Sequence, residues 1–287
     1  MKREFILQEK IYVSNNIKFY YIESGSGDPL LLLHGVCGNT KSFEKIIPSL
    51  STQYNVFSLD LRGHGRSDRT PNGYTLSNFT KDVVCFINDI IKKPVHIYGH
   101  SLGGILAVML NEFIPNKIRS IVIGDSPILF SYLKQNEVFW DLWSKITQPC
   151  LGSQLSVVQL ATQLSKIELT INNTVMKLGE VLPNEILFFY IEIYKATDPE
   201  LNICYTDLDA VIENYDVNNY KKIKCPVHII QADQIYSNLL TDAQLLEIKE
   251  KYIPQASHIT LSGIGHDLQI TNSEEILEIL LNYFNSR

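Results

Sequence analysis

Pro94-Val95-His96-Ile97-Tyr98-Gly99-His100-Ser101-Leu102-Gly103-Gly104 is the stretch that decides the fold. Its first half is a short apolar run of strand length. Its second half opens onto Ile105-Leu106-Ala107-Val108-Met109-Leu110, which is helix-forming. Gly99-x-Ser101-x-Gly103 therefore sits where a strand ends and a helix begins. Such a turn is tight enough to require glycine beside the serine and to strain the serine's own backbone. It lifts the hydroxyl out of the sheet and aims the first helical N–H groups at a reacting oxygen. Ser101 is thus the candidate nucleophile. The competing reading, a serine that merely caps a helix, loses its weight in this strand–turn–helix setting.

Working outward, short apolar runs alternate with helix-length amphipathic segments. Strands are expected over 11–14, 17–24, 29–34, 55–60, 94–99, 118–125, 226–232 and 256–262. Helices are expected over 40–50, 76–92, 102–113, 242–252 and 273–285. Alternation of this kind predicts an α/β fold with a mostly parallel sheet covered by helices on both faces. Between 127 and 222 the rhythm breaks into helical segments, 135–146, 153–167 and 184–196, with no convincing core strand. The expected organisation is a core domain from 1–126 and 223–287, interrupted by a helical cap over 127–222.

Three more motifs fall at strand ends. His34-Gly35-Val36-Cys37-Gly38 follows the strand at 29–34 and can bring a backbone N–H beside the nucleophile. Val36 and Leu102 are the expected oxyanion donors through their main-chain N–H groups. His34 and Gly35 support that loop, and Cys37 fills space within it. Asp60-Leu61-Arg62-Gly63-His64-Gly65-Arg66-Ser67-Asp68 reads as an ordered structural turn. Gly263-Ile264-Gly265-His266-Asp267 places a histidine on a glycine-hinged loop, where an imidazole of ordinary pKa suits a general base.

Together these four motifs resemble the α/β-hydrolase superfamily, over about residues 5 to 285. The resemblance implies a central eight-stranded sheet, a cap inserted after the sixth strand, and a Ser–acid–His triad in that chain order. Two carboxylates satisfy the order. Asp233 follows the strand at 226–232, where the family most often places its acid, and is the first candidate. Its spacing from Ala232 departs from the family pattern. Asp125, at the end of the preceding strand, is the alternative. Asp242, after Thr241, reads as a first-turn helix residue. Ser rather than Asp at 101 argues against dehalogenase or epoxide-hydrolase chemistry.

The expected activity is hydrolysis of an ester or related acyl bond of a small, largely apolar substrate, as in a carboxylesterase. Carbon–carbon bond hydrolysis of a β-diketone-like substrate by the same triad is the alternative. A small-molecule receptor with little turnover is the alternative of another class. The aromatics of 127–222 include Phe130, Phe139, Trp140, Trp143, Phe188, Phe189, Tyr190 and Tyr194. Most read as cap core, and Trp140 with Trp143 are expected to share a face.

A formal charge of −6 and no basic stripe argue against a nucleic-acid partner. No apolar run reaches the ~18 residues of a membrane span. The opening residues carry no signal-peptide pattern, and five scattered cysteines suit free thiols, so a cytoplasmic location is expected. No metal or organic cofactor is implied.

Overall fold

A computed structural model of the chain describes residues 7–134, 136–171, 174–213, 215–237 and 239–287. Residues 1–6, on which part of the signal-peptide expectation falls, and the side chain of Phe139 lie outside what is described. Ten strands are described: β1 (Gln8–Ser14), β2 (Ile17–Gly25), β3 (Asp28–Leu33), β4 (Tyr54–Leu59), β5 (Val95–His100), β6 (Ile118–Gly124), β7 (Glu168–Ile171), β8 (Thr174–Lys177), β9 (Val227–Gln231) and β10 (Ser257–Thr260).

Eight of them form one sheet in the order β1-β2-β4-β3-β5-β6-β9-β10. β1 and β2 run antiparallel to each other, β2 runs antiparallel to β4, and every later pairing is parallel. The near-continuous apolar run at Leu30–Leu33 is explained by this burial. All four leucines are fully enclosed, with Leu31 and Leu33 packing on one face of the sheet and Leu30 and Leu32 on the other. Helices α1 (Leu76–Phe86) and α2 (Leu102–Phe113) cover the first face; α6 (Ser273–Asn285) covers the second.

Two expected helices widen before they end. The helical spacing over 76–92 and 242–252 ends in wide π-type turns at Ile87–Ile91 and Ile248–Tyr252, which complete α1 and the helix at Asp242–Glu247. The segment between β6 and β9 contains helices α3 (Glu137–Thr147), α4 (Val157–Leu164) and α5 (Asn184–Lys195). It also carries an unexpected hairpin, in which β7 pairs antiparallel with β8. This pair lies outside the main sheet, and β8 is largely exposed, so it lacks the buried apolar run that marks a core strand. Part of this segment packs in an apolar cluster built on Leu160, Leu164, Leu187, Ile191 and Tyr194, together with Cys37 and Ile270, while Phe130, Leu133 and Leu201 join the main core. Among the described residues, no helix is long and apolar enough to cross a membrane.

Candidate active site

The parallel strands deliver their loops to one edge of the sheet, the usual ligand position in an open α/β fold. Ser101 follows β5 with φ 53° and ψ −118°, a conformation that side-chain-bearing residues rarely adopt. Four hydrogen bonds hold it there, one of them from Ile105 N–H to its carbonyl (3.3 Å). Its N–H donates to the Gly124 carbonyl (2.9 Å), and its carbonyl accepts from Gly104 N–H (2.9 Å) and Ser126 Oγ (2.6 Å). The glycines answer a real crowding. A Cβ at Gly103 would sit 2.0 Å from the Leu33 carbonyl oxygen, and one at Gly99 would sit 2.2 Å from that of Gly103. Ser101 makes no side-chain cap on α2, so its hydroxyl is not spent on the helix end.

The loop after β3 lies against the nucleophile. A Cβ at Gly35 would come within 3.5 Å of Ser101 Oγ. Buried His34 accepts from Leu61 N–H at Nε2 (3.0 Å), so its Nδ1 donates to the Gly35 carbonyl (2.8 Å). Burial and the neighbouring His64 push its pKa well below the usual value, which keeps it a neutral prop for the loop. Asp60 ties the next turn down by accepting from Thr40 N–H (2.7 Å) and Arg66 N–H (2.8 Å). Cys37 is buried against the insertion's apolar cluster.

His266 sits on the loop after β10, and its ring lines the same cavity as Ser101. Its Nδ1 donates to Asp125 Oδ2 at 2.8 Å, leaving Nε2 as the unprotonated nitrogen. Burial lowers the imidazole's pKa, but the hydrogen bond and the negative charge of Asp125 outweigh it, and the net shift is upward. His100 braces the loop from below: its Nε2 donates to the His266 carbonyl (2.8 Å), with the two rings 4.6 Å apart. Burial, with the adjacent His266, pushes the His100 pKa down to about 4, so this ring is neutral.

The preference for Asp233 as the residue paired with His266 is corrected by this geometry. Asp125 is the partner. It is completely buried at the end of β6, with φ 36°. Besides His266 it accepts from Ser237 Oγ (2.6 Å, Oδ2) and Ala232 N–H (3.1 Å, Oδ1). Asp233, one strand further along, is partly exposed and turned to the backbone. It accepts from Gly263 N–H (2.7 Å) and Ile235 N–H (3.0 Å), bonds that hold its pKa below the usual value. It fastens the β9 loop to the histidine loop. Asp242 accepts from Gln231 Nε2 (3.1 Å), away from His266.

The segment between β6 and β9 supplies a further wall of the cavity through Trp143, Tyr190, Ile193 and Tyr194. Trp140 and Trp143 part company. Trp143 meets Tyr194 edge-on at the cavity, whereas Trp140 packs on the main core and donates to the Leu133 carbonyl (2.9 Å). Two residues that motif reading passed over also belong here. Tyr190 donates to Asp267 Oδ2 (2.8 Å), and Gln269 lines the cavity three residues after His266. Only the helical spacing of Tyr190 and Tyr194, which stack, hinted at a shared face. The cavity holds about 20 Å³, room for roughly one water. Among the described residues, no group of three His, Cys, Asp or Glu side chains could hold a metal ion.

Residues 28–273 match the family model for the alpha/beta hydrolase fold. The chain belongs to the α/β-hydrolase family. A 2-(acetamidomethylene)succinate hydrolase of Mesorhizobium japonicum is 33% identical over 103 residues, 36% of this chain and 37% of that protein. An (E)-2-((N-methylformamido)methylene)succinate hydrolase of Acinetobacter baylyi is 29% identical over 118 residues, covering 41% of this chain and 45% of its own length. The matched stretch thus spans less than half of either curated relative. Among solved structures, a hydrolase from Pseudomonas aeruginosa superposes over 96% of this chain and 98% of its own, with TM-score 0.73 and 18% identity. That level of identity speaks for the fold alone.

Proposed function

We propose that this α/β-hydrolase is a serine hydrolase that cleaves an ester or related acyl bond of a small, largely apolar molecule. The reading rests on one observation above all. A strained Ser101 shares a cavity with an imidazole whose Nδ1 is anchored 2.8 Å from a fully buried carboxylate.

In this reading Ser101 Oγ attacks the scissile carbonyl carbon while His266 Nε2 takes the hydroxyl proton. Asp125 keeps the imidazole in the tautomer that makes Nε2 the base and stabilises the imidazolium that forms. The main-chain N–H groups of Val36 and Leu102 receive the developing oxyanion. Losing one such donor typically costs ~10²–10³ in turnover. The imidazolium protonates the leaving alcohol, and the C–O bond breaks to give the Ser101 acyl-enzyme. His266 then deprotonates a water, which attacks the acyl carbonyl; the C–Oγ bond breaks, and Ser101 Oγ takes the proton back from His266 as the acid is released. Residues 127–222 act as a cap over this chemistry. A cavity of about 20 Å³ is too small for an ester, so the aromatic wall of Trp143, Tyr190 and Tyr194 shifts to admit substrate.

The test is rapid mixing with a p-nitrophenyl ester, read as a burst of nitrophenolate and as acylated protein by mass spectrometry. A stoichiometric burst with the acyl group on Ser101, absent from Ser101→Ala, is the expected result. Turnover that survives Ser101→Ala would contradict it.

A further inference from the structure

A second cavity of about 220 Å³ abuts the nucleophile's chamber, and Ser42, Gln269 and Ile270 line both. Its floor is apolar, from Ile186, Phe189 and Ile270, and its rim carries Lys41, Lys45, Glu44 and Glu185. Gln269 stands at the junction. Its Oε1 accepts from the Tyr98 hydroxyl at 2.9 Å. Both side chains are buried, and burial pushes the Tyr98 pKa upward, keeping its O–H a donor. That bond holds the Oε1 end of the amide against β5. Tyr98 lies three residues before Ser101 and Gln269 three after His266, so the amide is held relative to both.

The other end of the amide is unanswered. Gln269 Nε2 is buried without a protein hydrogen-bond acceptor. A buried donor left unpaired is costly, and the junction of two cavities is where a ligand atom can pair with it. The walls favour an uncharged acceptor. Gln269 is neutral, Asp267 lines the first chamber, Lys41 is already paired with Glu192 at 3.0 Å, and the Lys45 ammonium donates to the Ile270 carbonyl at 2.8 Å.

We propose that Gln269 is a specificity-determining residue whose Nε2 hydrogen-bonds a neutral carbonyl oxygen in the acyl chain, the chain running from Ser101 into the 220 Å³ side cavity. The substrate class is therefore an oxo- or amido-acyl ester rather than a plain fatty acyl ester. This rests on the serine-hydrolase reading above and adds the identity of the acyl group. Without such a donor, exchanging a methylene for a carbonyl in an apolar cavity would weaken binding. A gain therefore reports a specific partner.

The experiment measures kcat/KM for p-nitrophenyl hexanoate and heptanoate, their 4-, 5- and 6-oxo analogues, and the matching half-esters of dicarboxylic acids. At one oxo position the wild type should exceed the plain ester by roughly 5- to 150-fold. Gln269→Met and Gln269→Leu should bring that ratio to about one. A purely structural role for the Tyr98–Gln269 bond would lower all esters together and leave the ratio intact. Plain esters matching every oxo ester in the wild type would overturn the proposal, even if both variants fail to fold. So would a ratio that persists in Gln269→Met, or half-esters that outrun the oxo esters. Fluorophosphonate labelling of wild-type Ser101 runs alongside. A labelled enzyme with no oxo preference sinks this inference alone, whereas an unlabelled one sinks the hydrolase reading beneath it.

Discussion

The loops that follow β6 and β9 each carry an aspartate within two residues of the strand end, and the two residues have opposite environments. Asp125 is sealed from solvent with a side chain reaching His266, Ser237 and Ala232. Asp233 is partly exposed and spends both oxygens on backbone N–H groups of its own turn and of the histidine loop. Neighbouring strand ends are thus divided between orienting an imidazole and shaping the loop that carries it. A buried carboxylate is expensive unless it is fully hydrogen-bonded, so the three partners around Asp125 are what make its position tenable.

The largest way to break this division is Asp125→Asn, which leaves the fold's geometry but no longer favours the Nδ1–H tautomer. Turnover of an activated ester should fall about 10⁴-fold. The pH profile sharpens the comparison next. The pKa of His266 is raised in the fold by Asp125, and the proposed base works only when neutral. The acidic limb of kcat/KM should therefore lie above the usual 6.5, and activity should rise with pH through it. The same shift stabilises the protein fully below the unfolded value and is lost as pH climbs through the folded one. A limb well below 6.5 would contradict the pairing. Ser237→Ala removes one of the bonds to Asp125 Oδ2 and should lower turnover roughly ten-fold, with a smaller shift of that limb. Asp233→Asn is the smallest expected effect. Turnover should stay close to wild type while the melting temperature drops slightly through the loosened turn.

Most of the frame was legible. Leu30–Leu33 and Val95–Tyr98 declare buried strands because both faces of the sheet are covered. Gly99 and Gly103 announce the elbow because no Cβ fits there. The carboxylate partner of His266 was not legible, because chain order allows either aspartate, and the choice depends on which strand end faces the histidine loop across the sheet. Ser237 gives no signal in its loop, since a single hydroxyl matters only through what it touches. Gln269 hides in Leu268-Gln269-Ile270, where it reads as a polar residue in an apolar turn. The β7–β8 pair escaped notice because each strand is only four residues long and β8 is largely exposed, too little to imprint an apolar run.

We propose that Ser101 is activated by His266 held on Asp125. The most direct measurement is the second-order rate of fluorophosphonate labelling at Ser101 in the wild type, Asp125→Asn and Asp233→Asn, with the adduct located by peptide mass spectrometry. The wild type and Asp233→Asn should label at closely similar rates, and Asp125→Asn far more slowly. No adduct on Ser101, or an Asp233→Asn rate as low as that of Asp125→Asn, would contradict it.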